Sequence, residues 1–543
     1  MGFTAVSRSA FTAGRSSLNA GPAVGATLFP PLDSLGQLLP RAARRWPRRT
    51  ALITDHRTLT FEQLDQLSSR VAHALTARGL RPGDRVSLIS QNRWEWIVAY
   101  HGALRCGAVV NPLNVMLTGE ELAYILTDSG TKVLLASDER LKAAGDALAG
   151  VSTLERVVAF DDVGGDVESF ETLVETADTE PFEPVSVNPG SLACIAYTSG
   201  TTGRPKGAMQ SHLSLVLNCA YTATMHVRTP DDVVVTALPS AHVYGNVAIN
   251  GTLMAGGRVV LMTRFDPEGA IRRIEQHRAT LFEGVPAMYA TMLATPGLSD
   301  ADLSSLTRST VGGQTIAESV MNAWEALTGA PMIELWGMTE LSGLGATHAL
   351  YAPNVHGSIG VVLPGNELKV VSIEDGVSEC GPGDPGELMA RGPLVTMGYC
   401  NSPAATADTI TPGGWLHTGD IATHDGAGRF FVVDRLKDMI LTAGYNVYPA
   451  EIERVLIGHE AVALVAVGRE ADRVKGEVAH AYVVPAPGSS PSADELIGYC
   501  RQHLAAYKVP RAVHFVDELP TTSSGKLMRR NLRQPAPPER TQG

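Results

Sequence analysis

Tyr197-Thr198-Ser199-Gly200-Thr201-Thr202-Gly203-Arg204-Pro205-Lys206-Gly207-Ala208-Met209 is the stretch that decides how this chain reads. It follows the apolar run Leu192-Ala-Cys-Ile-Ala196, which reads as a buried strand, and precedes Ser211 to Met225, which reads as a helix. From Thr198 to Lys206 the loop holds two glycines and four hydroxyl side chains. Glycines let backbone N–H groups approach phosphate oxygens, hydroxyls donate hydrogen bonds, and Lys206 adds a point charge, so the loop suits a triphosphate. It is not a Walker A loop, because no Gly-Lys pair is followed by Ser or Thr. Gly, Ser and Thr alone would read equally well as a polar turn; the whole ordered string sets this loop apart.

Outward from the loop, helix and strand patterns alternate. Phe61 to Leu80 places Leu64, Leu67, Val71, Ala72 and Leu75 on one helical face. Val86 to Ile89, Ala108 to Val110 and Lys132 to Leu135 read as strands, and Trp94 to Cys106 as a helix. Such alternation predicts α/β layers with parallel strands. Asp161 to Asn188 is acidic and apolar-poor, and reads as a surface excursion. A composition shift near residues 434–438 separates a Gly- and Pro-punctuated β-rich stretch from a compact unit of about 100 residues. In that unit Pro449 to Leu456 and Ala493 to Leu504 read as helices, Ala461 to Val467 and Ala479 to Val484 as strands. The expected division is 1–32 disordered, 33–434 a large N-terminal domain, 435–533 a C-terminal domain and 534–543 a tail. A transit peptide is the alternative for the first segment.

Composition removes several function classes. Of 543 residues, 44% are hydrophobic and 18% charged, and the net charge is −12. An acidic chain gains little from counterion release, so nucleic acid is not an expected partner. No run reaches the apolar length of a membrane span. The six cysteines form no CxxC pair and no zinc-spaced cluster with histidines, and read as reduced thiols of a cytoplasmic protein.

The loop string resembles the phosphate-loop signature of the adenylate-forming superfamily of acyl-CoA synthetases, aryl-CoA ligases, adenylation domains and luciferases. Five further segments match it in order. Ile333-Glu334-Leu335-Trp336-Gly337-Met338-Thr339-Glu340 resembles the adenine and magnesium motif, and Trp415 to Asp420 the ribose segment. Asp434-Arg435-Leu436-Lys437-Asp438 resembles the interdomain hinge, and Gly444-Tyr445-Asn446 onward the start of the C-terminal domain. Pro520 to Lys526 resembles the catalytic-lysine loop, and the likeness spans roughly residues 35 to 530. It implies layered α/β subdomains with a small β-barrel-like part, then a small mobile α+β domain turning about Lys437.

The resemblance also implies site roles. ATP or AMP would meet Thr198, Ser199, Gly200, Thr201, Thr202, Gly203, Lys206, Gly313, Gln314, Glu334, Leu335, Trp336, Gly337, Thr339, Asp420, Arg435 and Lys526. Trp336 stands where the family more often has Tyr. Glu340 would hold Mg²⁺, and Thr339, Glu340, His242 and Lys526 would serve catalysis. Lys526, on a flexible Thr/Ser/Gly loop, would stabilise charge at the α-phosphorus; without the resemblance it reads as a solvent lysine beside Arg529 and Arg530. His242 would gate the thiol tunnel, with a buried, satisfied histidine as the equal alternative. Gly444 and Tyr445 would meet CoA, and Gly444 reads alternatively as a plain turn glycine. The acyl lining would be Tyr244, Ala248, Gly313, Leu341, Ser342 and Gly345. No acid follows His242 until Asp266, so an α-amino acid would leave its ammonium unpaired, and a fatty or aryl tail is expected. The expected reaction consumes a carboxylic acid, Mg·ATP and CoA. A carrier-protein pantetheine is the rival acceptor, a non-catalytic ATP sensor the rival class. Oligomeric state stays open, a dimer included.

Overall fold

The computed structural model describes residues 32–162, 164, 167–198, 204–520, 527, 529 and 532. The expected terminal segments, the loop residues Ser199, Gly200, Thr201, Thr202 and Gly203, and Lys526 lie outside these. The chain divides into two compact units. One comprises residues up to Gln314 with Asn322–Leu368 and Ala390–Leu416; the other comprises Thr315–Met321, Lys369–Met389 and residues from His417 on.

Two sheets build the first unit. A seven-stranded sheet runs in the order Glu168–Ser169, Arg156–Ala159, Thr131–Ala136, Arg85–Ile89, Val109–Leu113, Leu192–Thr198, Lys206–Ser211. All its pairings are parallel except the last. A nine-stranded sheet holds Met332–Met338, Arg308–Val311, Leu281–Gly284, Val233–Thr236, Arg258–Leu261 and Thr50–Ile53 side by side and parallel, with antiparallel strands at both edges. Val86, Leu88, Val110, Leu134 and Leu135 are buried, as strands covered on both faces require.

Local chemistry sets the element ends. The helix Phe61–Ala77 begins at a reciprocal cap between Thr60 and Gln63, and stops short of Leu80 because Gly79 takes φ +91°. Thr118 and Glu121 cap the helix Gly119–Ser129 in the same way. Two expectations need correction. Asp161 to Asn188 is not only a surface excursion: Glu168–Ser169 joins the sheet, and the helix Phe170–Glu175 buries Phe170, Leu173 and Val174. Three apolar side chains on one short helical face suffice to anchor an otherwise polar segment. The strand before the phosphate loop and the helix after it are as expected, but Lys206–Ser211, read as part of the loop, is a strand. The two strands form an antiparallel hairpin, Leu192–Thr198 against Lys206–Ser211, and the helix His212–Met225 follows directly, capped by Ser211.

In the β-rich stretch, Glu367–Val371, Gly386–Arg391, Leu416–His424 and Phe430–Arg435 form one four-stranded sheet. The rest of the second unit is a five-stranded sheet with the helices Pro449–Leu456 and Ala493–His503. Ile452, Leu456, Val467, Ala481, Val483, Leu496 and Cys500 make its core.

Candidate functional site

In the first unit the hairpin puts Thr198 opposite Lys206, and the Thr198 hydroxyl donates to the Lys206 carbonyl at 3.5 Å. Gly207 sits where a Cβ would lie 2.6 Å from Ile195 Cγ2 and 2.9 Å from Tyr197 Cζ, so only glycine lets the two strands close. The Lys206 ammonium lies 5.5 Å from the centre of the Tyr399 ring.

The strand Met332–Met338 carries Glu334, Leu335, Trp336 and Gly337 and runs into the short turn Thr339–Leu341. Trp336 is buried, and a Cβ on Gly345 would fall 2.5 Å from its ring, so ring and backbone are in contact. Glu334 Oε2 accepts from the Gly357 N–H at 2.7 Å. Two links tie the turn to the hairpin side: Gln210 Nε2 donates to the Thr339 carbonyl at 2.8 Å, and the Tyr399 hydroxyl donates to Glu340 Oε1 at 2.8 Å. Lys206, Thr339 and Glu340, read 130 residues apart, are therefore gathered around Gln210 and Tyr399. Sequence reasoning missed Tyr399. Its partner Glu340 is 59 residues away, and no local pattern marks it. Glu340 is a buried carboxylate, and Thr339, its neighbour in the chain, carries a hydroxyl. Such all-oxygen donors suit Mg²⁺, which commonly takes one protein carboxylate and completes its shell with phosphate oxygens and water.

After the strand Arg308–Val311, Gly312 passes so close to Leu335 that a Cβ would lie 2.2 Å from its Cδ1. Gly313 then turns with φ +89° and is exposed; Gln314 is half-buried. The Tyr244 hydroxyl pairs with Thr310 Oγ1 at 2.8 Å, which brings the helix Val243–Ala255 onto this strand. Burial holds the Tyr244 phenol well above its ordinary pKa. Ala248 and Leu341 are buried, and the Ser342 hydroxyl donates to Ser214 Oγ at 2.9 Å. Ser342 also borders a small cavity shared with Tyr100, Cys194, Gln210 and Asn246. His242 is exposed and caps the helix, its Nδ1 accepting from the Tyr244 N–H at 3.3 Å.

The inference from missing acids needs amendment. Glu283, on the strand Leu281–Gly284, is fully buried and its charge reaches Tyr244. It arrives through strand pairing, beyond the local window around His242. Arg228, equally buried, pairs with Glu283 and donates to the Ala248 carbonyl at 2.7 Å. Arg228 thus matches the charge of the acid through Glu283 Oε1, while Oε2 is buried without a hydrogen-bond partner.

In the second unit Asp420 and Arg435 stand opposite each other in the antiparallel strands Leu416–His424 and Phe430–Arg435. Arg435 Nε is 2.7 Å from Asp420 Oδ1. Gly419, with φ +68°, and the Thr418 hydroxyl, which accepts from the Asp420 N–H at 3.1 Å, shape the turn into Asp420. Lys437 is exposed on the single turn Leu436–Asp438. Just ahead of it, Asp434 Oδ2 accepts from the Ala450 N–H at 2.8 Å. Ala443 and Gly444, with φ +48° and +85°, form the two-residue hairpin turn between Ile440–Thr442 and Tyr445–Val447. Nothing lies within 4 Å of a Cβ built on Gly444. Tyr445 is exposed and stacked on Tyr507, ring centres 4.6 Å apart. Arg529 is no solvent-facing tail residue: it pairs with Glu453 at 2.7 Å and with Asp438 at 3.5 Å. The cysteines are free thiols. Among the described residues no helix is long and apolar enough to cross a membrane.

Residues 39–400 match the AMP-binding enzyme family, and residues 451–526 its AMP-binding enzyme C-terminal domain. The chain is 38% identical over 506 residues to a feruloyl-CoA synthase of an Amycolatopsis species, covering 92% of this chain and 99% of that one. It is 36% identical over 516 residues to a fatty acid–[acyl-carrier-protein] ligase of Streptomyces coeruleorubidus, covering 93% and 96%. The crystal structure of an anthranilate CoA ligase in complex with anthranoyl-AMP superposes with a TM-score of 0.86 at 27% identity, covering 91% of this chain and 95% of that one.

Proposed function

The chain belongs to the AMP-binding enzyme family, and we propose from that premise that it is an ATP-dependent acyl-CoA synthetase for uncharged fatty or aryl acids. The observation that carries this reading is that Tyr399 joins Lys206 to Glu340 while Gln210, on the Lys206 strand, ties down the Thr339 carbonyl. Lys206 and the loop N–H groups would hold the phosphates. Glu340 and Thr339 would hold Mg²⁺, which neutralises phosphate charge when bound. Asp420 would accept from ribose hydroxyls, with Arg435 as the adjoining donor. The substrate carboxylate then attacks the α-phosphorus, the bond to pyrophosphate breaks, and an acyl-adenylate remains. Lys526 would meet charge that grows on phosphorus. In the second half-reaction the CoA thiolate attacks the activated carbonyl and AMP leaves, with Gly444 beside the pantetheine and Lys437 as the hinge between the two states.

The acyl side of the reading rests on the burial of Tyr244, Ala248 and Leu341 and on the pairing of Glu283 with Arg228. The carrier-protein ligase among the relatives favours a second acceptor, a phosphopantetheinyl carrier. Leu441, Thr442 and Ala443 bring no cation for a CoA 3′-phosphate next to Gly444, while exposed Arg473, Lys475 and Arg501 are available on the same unit. Product analysis with a panel of fatty, aryl and amino acids, run with CoA and with a loaded carrier in parallel, tests both points. Acyl-CoA from a neutral acid is the expected product; preference for an α-amino acid would overturn the substrate reading. Lys526→Ala should lose acyl-AMP formation by about 100- to 1,000-fold, as loss of a transition-state charge partner does. It should still convert supplied acyl-AMP to thioester. Equal loss in both assays would remove Lys526 from its role.

A further inference from the structure

Tyr399 touches both charged groups assigned to the phosphate end of the reaction, and does so with different parts of one side chain. Its ring lies 5.5 Å from Lys206 Nζ, and its hydroxyl donates to Glu340 Oε1 at 2.8 Å. The backbone around it is fastened on both sides. Cys400 N–H donates to the Gly207 carbonyl at 2.8 Å, Met209 N–H to the Gly398 carbonyl at 2.9 Å, and Met397 N–H to the Met209 carbonyl at 2.8 Å. Tyr399 N–H donates to Thr406 Oγ1 at 2.9 Å. Thr396 N–H donates to the Glu340 carbonyl at 2.7 Å, so one short segment grips the hairpin and the Glu340 turn together. Tyr399 is 9% exposed. Burial, and then the Glu340 charge, push the phenol well above its ordinary pKa.

We propose that Tyr399 is a positioning residue for adenylation: it fixes the separation and orientation of Lys206 and Glu340 before Mg·ATP binds. The proposal rests on the reading of Glu340 as the Mg²⁺ carboxylate and Lys206 as the phosphate cation. A carboxylate already held through Oε1 presents its other oxygen in a set direction, so less rotamer freedom is lost when a metal arrives. The cation–π contact is weak enough for Lys206 to be surrendered to a phosphate, yet keeps the ammonium from collapsing onto the Glu340 carboxylate. A direct Lys–Glu pair would neutralise both groups and oppose the loading of both ATP and metal.

The two contacts are separable. Tyr399→Phe deletes only the hydroxyl, and Tyr399→Leu deletes the ring as well. ATP binding to the full chain, measured calorimetrically with and without Mg²⁺, reads each contact apart from turnover. Tyr399→Phe should keep Mg-free ATP affinity within about twofold and raise the Mg²⁺ half-saturation about tenfold, the scale of one hydrogen bond to a charged group. In kinetics kcat should fall while KM for the acid holds. Tyr399→Leu should in addition weaken Mg-free ATP binding. In a Glu340→Gln background Tyr399→Phe should have no further effect on the Mg²⁺ response, because the shared partner is gone. An unchanged Mg²⁺ half-saturation in Tyr399→Phe beside an impaired Glu340→Gln would overturn the proposal alone. Equal loss of affinity with and without Mg²⁺ would make Tyr399 a packing residue and overturn it too. A normal Mg²⁺ response in Glu340→Gln would overturn the metal reading, and the proposal with it.

Discussion

Arg435 Nε sits 2.7 Å from Asp420 Oδ1, and the two residues face each other across one pair of antiparallel strands. The Asp420 side chain is 3% exposed and that of Arg435 32%. The pair is therefore built by the fold, and in the proposed reaction the carboxylate would meet ribose hydroxyls already oriented. Arg435→Ala leaves Asp420 buried without its cation, which should lower stability by about 1–3 kcal/mol. It should also raise KM for ATP about tenfold, and Arg435→Lys should recover part of both. Chemical denaturation and ATP-dependent kinetics check this, and wild-type behaviour of Arg435→Ala in both would contradict it.

Gly444 combines a required positive φ of +85° with open space where a side chain would project. The turn reading is met by the backbone, and the open space is compatible with the proposed pantetheine passage. Gly444→Ala and Gly444→Trp should destabilise alike, by about 1–3 kcal/mol of backbone strain. Only the Trp variant should block thioester formation, and both should keep acyl-AMP formation. Melting curves beside the two half-reaction assays read this out; acyl-CoA formation by the Trp variant at the rate of the Ala variant would count against a pantetheine passage.

Gly345 lies where an added Cβ would be 2.5 Å from Trp336 Cζ3 and 2.6 Å from Leu341 Cδ1. Gly345→Ala should overpack this contact at a cost of about 1–3 kcal/mol. The ring and Leu341 would have to shift, and kcat/KM should drop more for aryl and branched acids than for short straight-chain ones. An acid profile identical to wild type, with only the melting temperature lowered, would make Gly345 a packing glycine with no part in substrate selection.

Stability should fall on mild acidification. Burial lowers His101 and His212 from 6.5 to about 4. The unfolded chain then binds protons that the folded chain refuses. The stabilisation is complete above pH 6.5 and is lost as pH falls from there toward 4, at up to about 1.4 kcal/mol per pH unit for each histidine. Denaturation midpoints at pH 7 and pH 5 should differ in that sense. A midpoint unchanged between them, or higher at pH 5, would contradict the burial of neutral imidazoles.

How much of this was legible depends on how local the cause is. The helix Pro449–Leu456 reads to the residue, because proline starts it and its apolar spacing is internal. The start of Phe61–Ala77 is equally local, set by Thr60 and Gln63. The hairpin strand Lys206–Ser211 escaped notice because Gly207 and Ala208 mask its alternation and a helix pattern follows at once. Glu283 and Tyr399 escaped notice because strand pairing and loop fastening bring them to Tyr244 and Glu340 from distant positions. Arg529 reads as part of a basic tail until Glu453 and Asp438 are seen beside it. The motif residues were found as ordered strings. Their mutual distances come only from the fold.

The central claim is that the acid attacks the α-phosphorus of ATP and leaves as an adenylate before any thiol takes part. Oxygen labelling tests it most directly. A neutral aryl or fatty acid carrying ¹⁸O in its carboxylate is incubated with the enzyme, Mg·ATP and CoA, and the nucleotide and phosphate products are analysed by mass spectrometry. The account predicts one ¹⁸O atom in AMP, unlabelled pyrophosphate, and release of pyrophosphate even when CoA is left out. Label appearing in inorganic phosphate with ADP as the nucleotide product would mean attack at the γ-phosphorus and would contradict the account.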